Sequence, residues 1–131
     1  MEIRVLGAHL AEEEGARLTS LLIDGVLVVD AGGITSALSL PEQKKIEAVL
    51  LTHYHFDHTR DLVTIAANAG YYWRKQLKVC GPRHTLDIVT DCLLGGKMYT
   101  NFFEYPDKEK PTVILEAVAP YSRKTIAGYD V

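Results

Sequence analysis

Between Leu50 and Leu62 the chain reads LLTHYHFDHTRDL, which sets His53, His55, Asp57 and His58 within six residues. Three of the protein's five histidines lie in that stretch. Imidazole nitrogens and carboxylate oxygens are the donors that zinc and neighbouring divalent metals take, so cation binding is the first chemistry these residue types suggest. Along an extended chain, residues two apart point the same way, and His53 and His55 are therefore expected to project to one side. Where the chain turns into a helix, Asp57 and His58 become neighbours in its first turn and face the same pocket from another angle. A catalytic zinc needs at least three protein ligands and an open position. Either all four donors converge on one ion, or each pair awaits further ligands from elsewhere in the sequence. Taken singly, each residue has a plainer use. Asp57 suits a helix N-terminus, where a carboxylate is favourable beside unpaired amides, and a lone histidine at a strand end packs or stays solvated. Four at this spacing would each need a separate structural reason.

The elements that must position this cluster are legible around it. Ile3 and Val5 alternate about Arg4, as in a strand, and LLIDGVLVVD places Asp24-Gly25 between two apolar runs, the signal of a two-residue hairpin. A Gly-rich turn and about one helical turn before Pro41 follow, and then IEAVLLT, Ile46 to Thr52, reads as a buried fourth strand. Leu62, Ile65, Ala66 and Ala69 recur at helical spacing as far as Gly70, so a helix is expected from near Asp57 to Thr59 onward. The cluster thus sits where strand becomes helix. LKVCGP reads as another strand. Leu86, Ile88, Val89, Cys92 and Leu93 mark a second helix stopped by Gly95-Gly96, and TVILEAVA and KTIAGYDV read as closing strands. Strands first and alternating strand and helix afterwards predict an α/β fold with a mixed β-sheet and helices on one face.

With 131 residues, 47% of them apolar and 24% charged, the chain suits a single globular domain, residues 1–131. The net charge of −3 disfavours broad attraction to nucleic acid, which needs a basic face. The run YYWRK, Tyr71 to Lys75, has the composition to stack on bases, but a helix end packing under the next strand is the preferred reading. The opening MEIRVLGAHL alternates like a strand and lacks the basic head and long apolar run of a signal peptide, and no run is long enough to span a membrane, so a cytoplasmic protein is expected. Cys80 and Cys92 are expected as buried free thiols. There is no G-x-S-x-G elbow and no G-x-x-x-x-G-K-[ST] loop, so other catalytic schemes find little support beside the metal cluster.

HYHFDH resembles the His-x-His-x-Asp-His motif of the metallo-β-lactamase fold superfamily. LLIDGVLVVDAGG upstream looks like that family's strand pair ending in an aspartate, and LKVCGP downstream is similar to the strand and turn after its motif helix. The likeness covers about Ile3 to Leu94, and THYHFDHTRDL with the GP turn is nearest the branch of tRNase Z-like and phosphodiesterase-like hydrolases. The resemblance implies that His53 and His55 bind a first metal, that Asp57 and His58 bind a second, and that Asp30 orients the ligands through hydrogen bonds. Asp30 is equally a candidate strand-end turn former. Two zinc ions are implied, with manganese or iron as substitutes. The family's mechanism has a metal-bound hydroxide attack an ester, amide or phosphodiester, and Asp57 is the catalytic candidate that helps orient this nucleophile.

The family's fold is an αββα sandwich whose second half supplies further ligands, and this chain resembles one half of it. After His58 the only histidine is His84, in GPRHTL, where a structural turn is expected. Asp87, Asp91, Glu104, Asp107, Glu109, Glu116 and Asp130 lack a strand-end context with a nearby histidine. The chain therefore reads as a hydrolase domain stopped before its second half, or as one trimmed there. Self-association or a complementing chain is expected to cover the sheet face that the second half would occupy. The rival expectation is a non-catalytic metal-binding or assembly module that needs a partner chain.

Overall fold

A computed structural model describes residues 1–131. Strands β1 (Ile3–Gly7), β2 (Ser20–Ile23), β3 (Leu27–Val29), β4 (Ala48–Leu50), β5 (Leu77–Gly81) and β6 (Val113–Ala117) form one sheet in that spatial order. The pairs β1–β2 and β2–β3 are antiparallel, and β3 to β6 run parallel. Parallel neighbours need crossovers. These carry α1 (Ile34–Ala37) and α2 (Leu40–Gln43), then α3 (Phe56–Thr59) and α4 (Leu62–Ala67), then α5 (Arg83–Val89). Both α4 and α5 run on into π-helical turns, Asn68–Trp73 and Thr90–Leu94, so the first of these helical segments passes Gly70 before Arg74 ends it at φ 48°.

Register sorts the side chains into rows across the sheet. Arg4, Leu22, Val28, Val49, Val79 and Leu115 are successive partners on the face that meets the helices. Leu22, Val28, Val49 and Val79 there join Ile34, Ile46, Leu51, Leu62, Ile65, Leu86 and Phe102 in the main core. The opposite face carries Ile3, Ile23, Leu27, Ala48, Lys78 and Ile114 in one row and Val5, Leu21, Val29, Leu50, Cys80 and Glu116 in the next.

That second face is only partly covered. The tail KTIAGYDV is not one strand: it folds back as β7 (Thr125–Ile126) and β8 (Tyr129–Asp130) about Ala127 and Gly128, both at positive φ. Ile126 packs on Leu27, Ala48 and Cys80. Lys124 and Lys78 both pair with Glu116, and the Tyr129 hydroxyl donates to Asp24, which ties the hairpin down at two ends. Toward β1 and β6 the face stays open, with Ile3, Val5 and Ile114 at 54%, 62% and 39% exposure.

Other local expectations also shift. The β2–β3 link contains three residues, because Ile23 pairs with Leu27 while the Val26 carbonyl accepts from the Glu47 amide at 2.8 Å. Asp24 and Gly25 both take positive φ within it. β4 is shorter than Ile46 to Thr52, since the Thr52 amide turns away to a side chain. Cys80 is buried, but Cys92 is exposed on the outer side of its helical turn, and both thiols are free. No helix is long and apolar enough to cross a membrane.

Candidate metal centre

The motif begins where β4 leaves the sheet. The Leu51 amide still donates to the Cys80 carbonyl at 2.8 Å. The next amide, of Thr52, donates instead to Asp30 Oδ1 at 2.8 Å, and the Thr52 hydroxyl lies 3.0 and 2.9 Å from the two oxygens of the same carboxylate. Asp30 follows β3 directly, is 3% exposed and holds φ at 59°, a conformation that costs a non-glycine residue about 1–2 kcal/mol. Its carboxylate thereby reaches across to the end of the neighbouring parallel strand. Oδ2 also stands 2.8 Å from His58 Nδ1.

Backbone contacts fix the loop against the β3 end. The Ala31 amide donates to the His58 carbonyl at 2.6 Å and the Asp61 amide to the Ala31 carbonyl at 2.7 Å. A Cβ on Gly32 would stand 2.0 Å from the Asp57 carbonyl oxygen, so only glycine lets these two backbones meet. Within the loop, the His58 amide donates to the His55 carbonyl at 2.9 Å, and the Thr59 hydroxyl donates to it at 3.1 Å. The buried Asp61 carboxylate accepts from the Thr35 amide at 2.7 Å and from Arg60 Nε at 2.9 Å, and Arg60 pairs in turn with Glu12. The turn from strand to helix is thus held from three sides.

These contacts gather the motif side chains. The His53 ring centre lies 4.7 Å from that of His55 and 4.1 Å from that of His58. Asp57 Oδ2 is 3.3 Å from His58 Nε2, and the Thr52 hydroxyl is 3.0 Å from His53 Nδ1. His84 stays outside the cluster, edge-on to the Tyr54 ring at 5.4 Å. Four of the later carboxylates are engaged elsewhere: Asp87 with Arg83, Asp91 with Lys97, Glu104 with Lys108 and Glu116 with two lysines. Thr52, Gly32 and Asp61 were not singled out as site residues from the sequence. The only signals for them were a hydroxyl residue before His53, the glycine pair after Asp30 and an acid at the helix junction.

The donor set fits zinc. Three imidazoles and a carboxylate are nitrogen and oxygen ligands of the kind zinc takes, and two rings on one ion, at about 2.0 Å per nitrogen, stand roughly 5 Å apart centre to centre. The His53–His55 spacing of 4.7 Å, the pair that would share one ion, is close to that. No three His, Cys, Asp or Glu side chains are already closed into a cation cage. Asp57 and His58 meet each other at 3.3 Å instead.

Residues 18–81 match the model of the metallo-beta-lactamase superfamily. YhfI from Bacillus subtilis, a metallo-beta-lactamase fold protein, superimposes with a TM-score of 0.70 at 19% identity, over 95% of this chain and 48% of that one. The chain has the metallo-β-lactamase fold. Unliganded yeast PDE1 shares the architecture, with a TM-score of 0.75 at 14% identity, over 98% of this chain and 53% of the other. In sequence, the ribonuclease Z of Methanocaldococcus jannaschii is 30% identical over 81 residues, which are 61% of this chain and 25% of that protein. This metallo-β-lactamase-fold chain therefore spans about half of each solved relative and a quarter of the ribonuclease Z. Within the fold, His53, His55, Asp57 and His58 occupy the bend at the carboxyl end of β4, where open parallel sheets place their ligands.

Proposed function

We propose that this chain carries the metal-binding part of a hydrolase that cleaves a phosphodiester or ester. His53 and His55 hold one ion and Asp57 and His58 a second. Zinc is the preferred metal, and manganese or iron can occupy the same nitrogen and oxygen donors. When bound, the ions supply Lewis acidity and lower the pKa of water. The chain's own residues supply position. Asp30 holds His58 through Nδ1, and Asp57 orients the attacking water through its carboxylate oxygens.

The observation that carries this reading is the convergence of three imidazole rings, with centres 4.1 and 4.7 Å apart, beside the Asp57 carboxylate at one bend of the backbone. A sequence relative named ribonuclease Z supports the phosphodiester class, while the net charge of −3 favours a small phosphodiester over a long nucleic acid. The test is hydrolysis of bis(p-nitrophenyl) phosphate by purified chain with added zinc or manganese. Turnover that His55→Ala abolishes supports the reading; no turnover with zinc bound and the chain folded removes catalysis by this chain alone.

A second reading is favoured by the open sheet face. Ile3, Val5 and Ile114 lie exposed on it, and the structural relatives are about twice as long. In that reading residues 1–131 form a metal-binding or assembly module completed by a second copy or a complementing chain. Zinc uptake without turnover, together with association in solution, distinguishes it from the first.

A further inference from the structure

We infer that the closing β7–β8 hairpin is a strap that opens as a unit while the six-stranded sheet stays folded, and that its opening decides when the buried Cys80 thiol and the covered part of the sheet face become accessible. The inference does not depend on the metal centre.

The hairpin is held on by few contacts. Its backbone pairs only with itself, through the β7–β8 register and the mutual bonds of Lys124 and Val131 at 3.0 and 2.9 Å. Strands this short cannot stand alone, since an isolated hairpin is marginal in water. Ile126 is its one buried side chain, in a cluster of four with Leu27, Ala48 and Cys80, whereas the core on the other face of the sheet gathers 20 buried residues. The remaining ties lie at the surface. Lys124 Nζ stands 3.1 Å from Glu116 Oε1 and donates to the Ala117 carbonyl at 2.9 Å, and the Tyr129 hydroxyl donates to the exposed Asp24. Exposed charged contacts of this kind are weak and screened by salt. Ala127 holds φ at 48°, an unfavourable conformation for a residue with a Cβ, and release relieves it. The link back to β6, Ala119 to Arg123, is exposed throughout and supplies the hinge.

Opening lifts Ile126 from three adjacent strands. Leu27 of β3, Ala48 of β4 and Cys80 of β5 then join Ile3, Val5 and Ile114 as uncovered apolar surface, so the strap sets how much of that face is open. Regions with few buried contacts open at free energies well below that of global unfolding. Cys80 reports the event because it is fully buried beneath the strap.

The test is iodoacetamide labelling of Cys80 in the Cys92→Ser chain at pH 8, read by mass spectrometry at urea concentrations below the unfolding transition. A slow rate that barely changes with urea is expected, because a strap exposes little surface when it opens. Ile126→Val and Tyr129→Phe, each mild enough to leave the sheet folded, are expected to raise the rate about 2- to 12-fold. Ile65→Val, in the main core, weakens the strapped and the unstrapped chain alike. Its urea midpoint is expected to fall with the labelling rate unchanged. A rise with either hairpin variant and none with Ile65→Val supports the inference. Labelling that is absent below the unfolding transition, accelerates steeply with urea, rises with Ile65→Val or ignores both hairpin variants overturns it.

Discussion

Nδ1 of His58 lies 2.8 Å from Oδ2 of Asp30, across 28 residues of sequence. The contact joins the end of β3 to the first turn of α3, and the Thr52 amide and hydroxyl converge on the same buried carboxylate. Asp30→Ala leaves the Thr52 amide without its acceptor and frees the His58 ring. A loss of about 1–3 kcal/mol in denaturant unfolding is expected, with zinc affinity down about 10- to 100-fold by calorimetry. Unchanged affinity in a folded variant would show that Asp30 is a turn former only.

Gly32 offers a steric test of the same junction. A methyl group there overlaps the Asp57 carbonyl, so Gly32→Ala must push α3 away from the β3 end. Strain of about 1–3 kcal/mol is expected. Amide shifts in the NMR spectrum should concentrate at residues 55–61 and at Leu18 and Thr19, which the same methyl would meet at 2.8 Å, rather than in the hairpin of β7 and β8.

The two thiols should react differently. Burial, and after it the nearby Glu116 carboxylate, pushes the Cys80 thiol up to about 11, whereas Cys92 is exposed. Ellman's reagent at neutral pH should titrate one thiol in the folded chain and two in guanidinium. Cys92→Ser should abolish the native reaction, and Cys80→Ser should leave it.

The pH dependence of stability has a readable component at α2. The Ser39 hydroxyl, followed by the Arg4 guanidinium, holds the Glu42 carboxyl down to about 2. A carboxyl depressed by folding stabilises at pH above its unfolded value of 4.5, and that contribution is lost as pH falls through about 2. Glu42→Gln should therefore melt below wild type at pH 7, and the gap should close between pH 4.5 and pH 2. A gap independent of pH would mean that the carboxylate charge is not involved.

The open sheet face predicts association. Light scattering at micromolar concentration should give a mass above the 14.5 kDa of one chain. Val5→Asp, which places a charge in the uncovered row beside β2, should return the monomer while leaving the fold and the histidine cluster intact. A wild-type monomer that binds no exposed-surface dye would count against a partner on this face.

The sequence by itself determined the local features. The hydrophobic periods located the strands and helices of the α/β layout, Asp24-Gly25 marked the tight link, and the grouping of His53, His55, Asp57 and His58 followed from their lying within one bend of chain. Each depends on neighbours a few residues apart, whose relative positions are set by backbone geometry. The resemblance already pointed to Asp30 as a brace of that bend, and the tertiary structure alone added Thr52, Gly32 and Asp61 to it. Asp30, Thr52 and His58 meet because β3 and β4 are parallel neighbours, Gly32 matters because Asp57 is packed on it, and Cys92 is exposed although its helical spacing resembles that of a core residue. The final hairpin turned where one strand was expected because Ile126 finds burial on Leu27, Ala48 and Cys80, residues of three other strands. Such contacts join segments tens of residues apart, and strand order, which no short window of sequence contains, determines which segments meet.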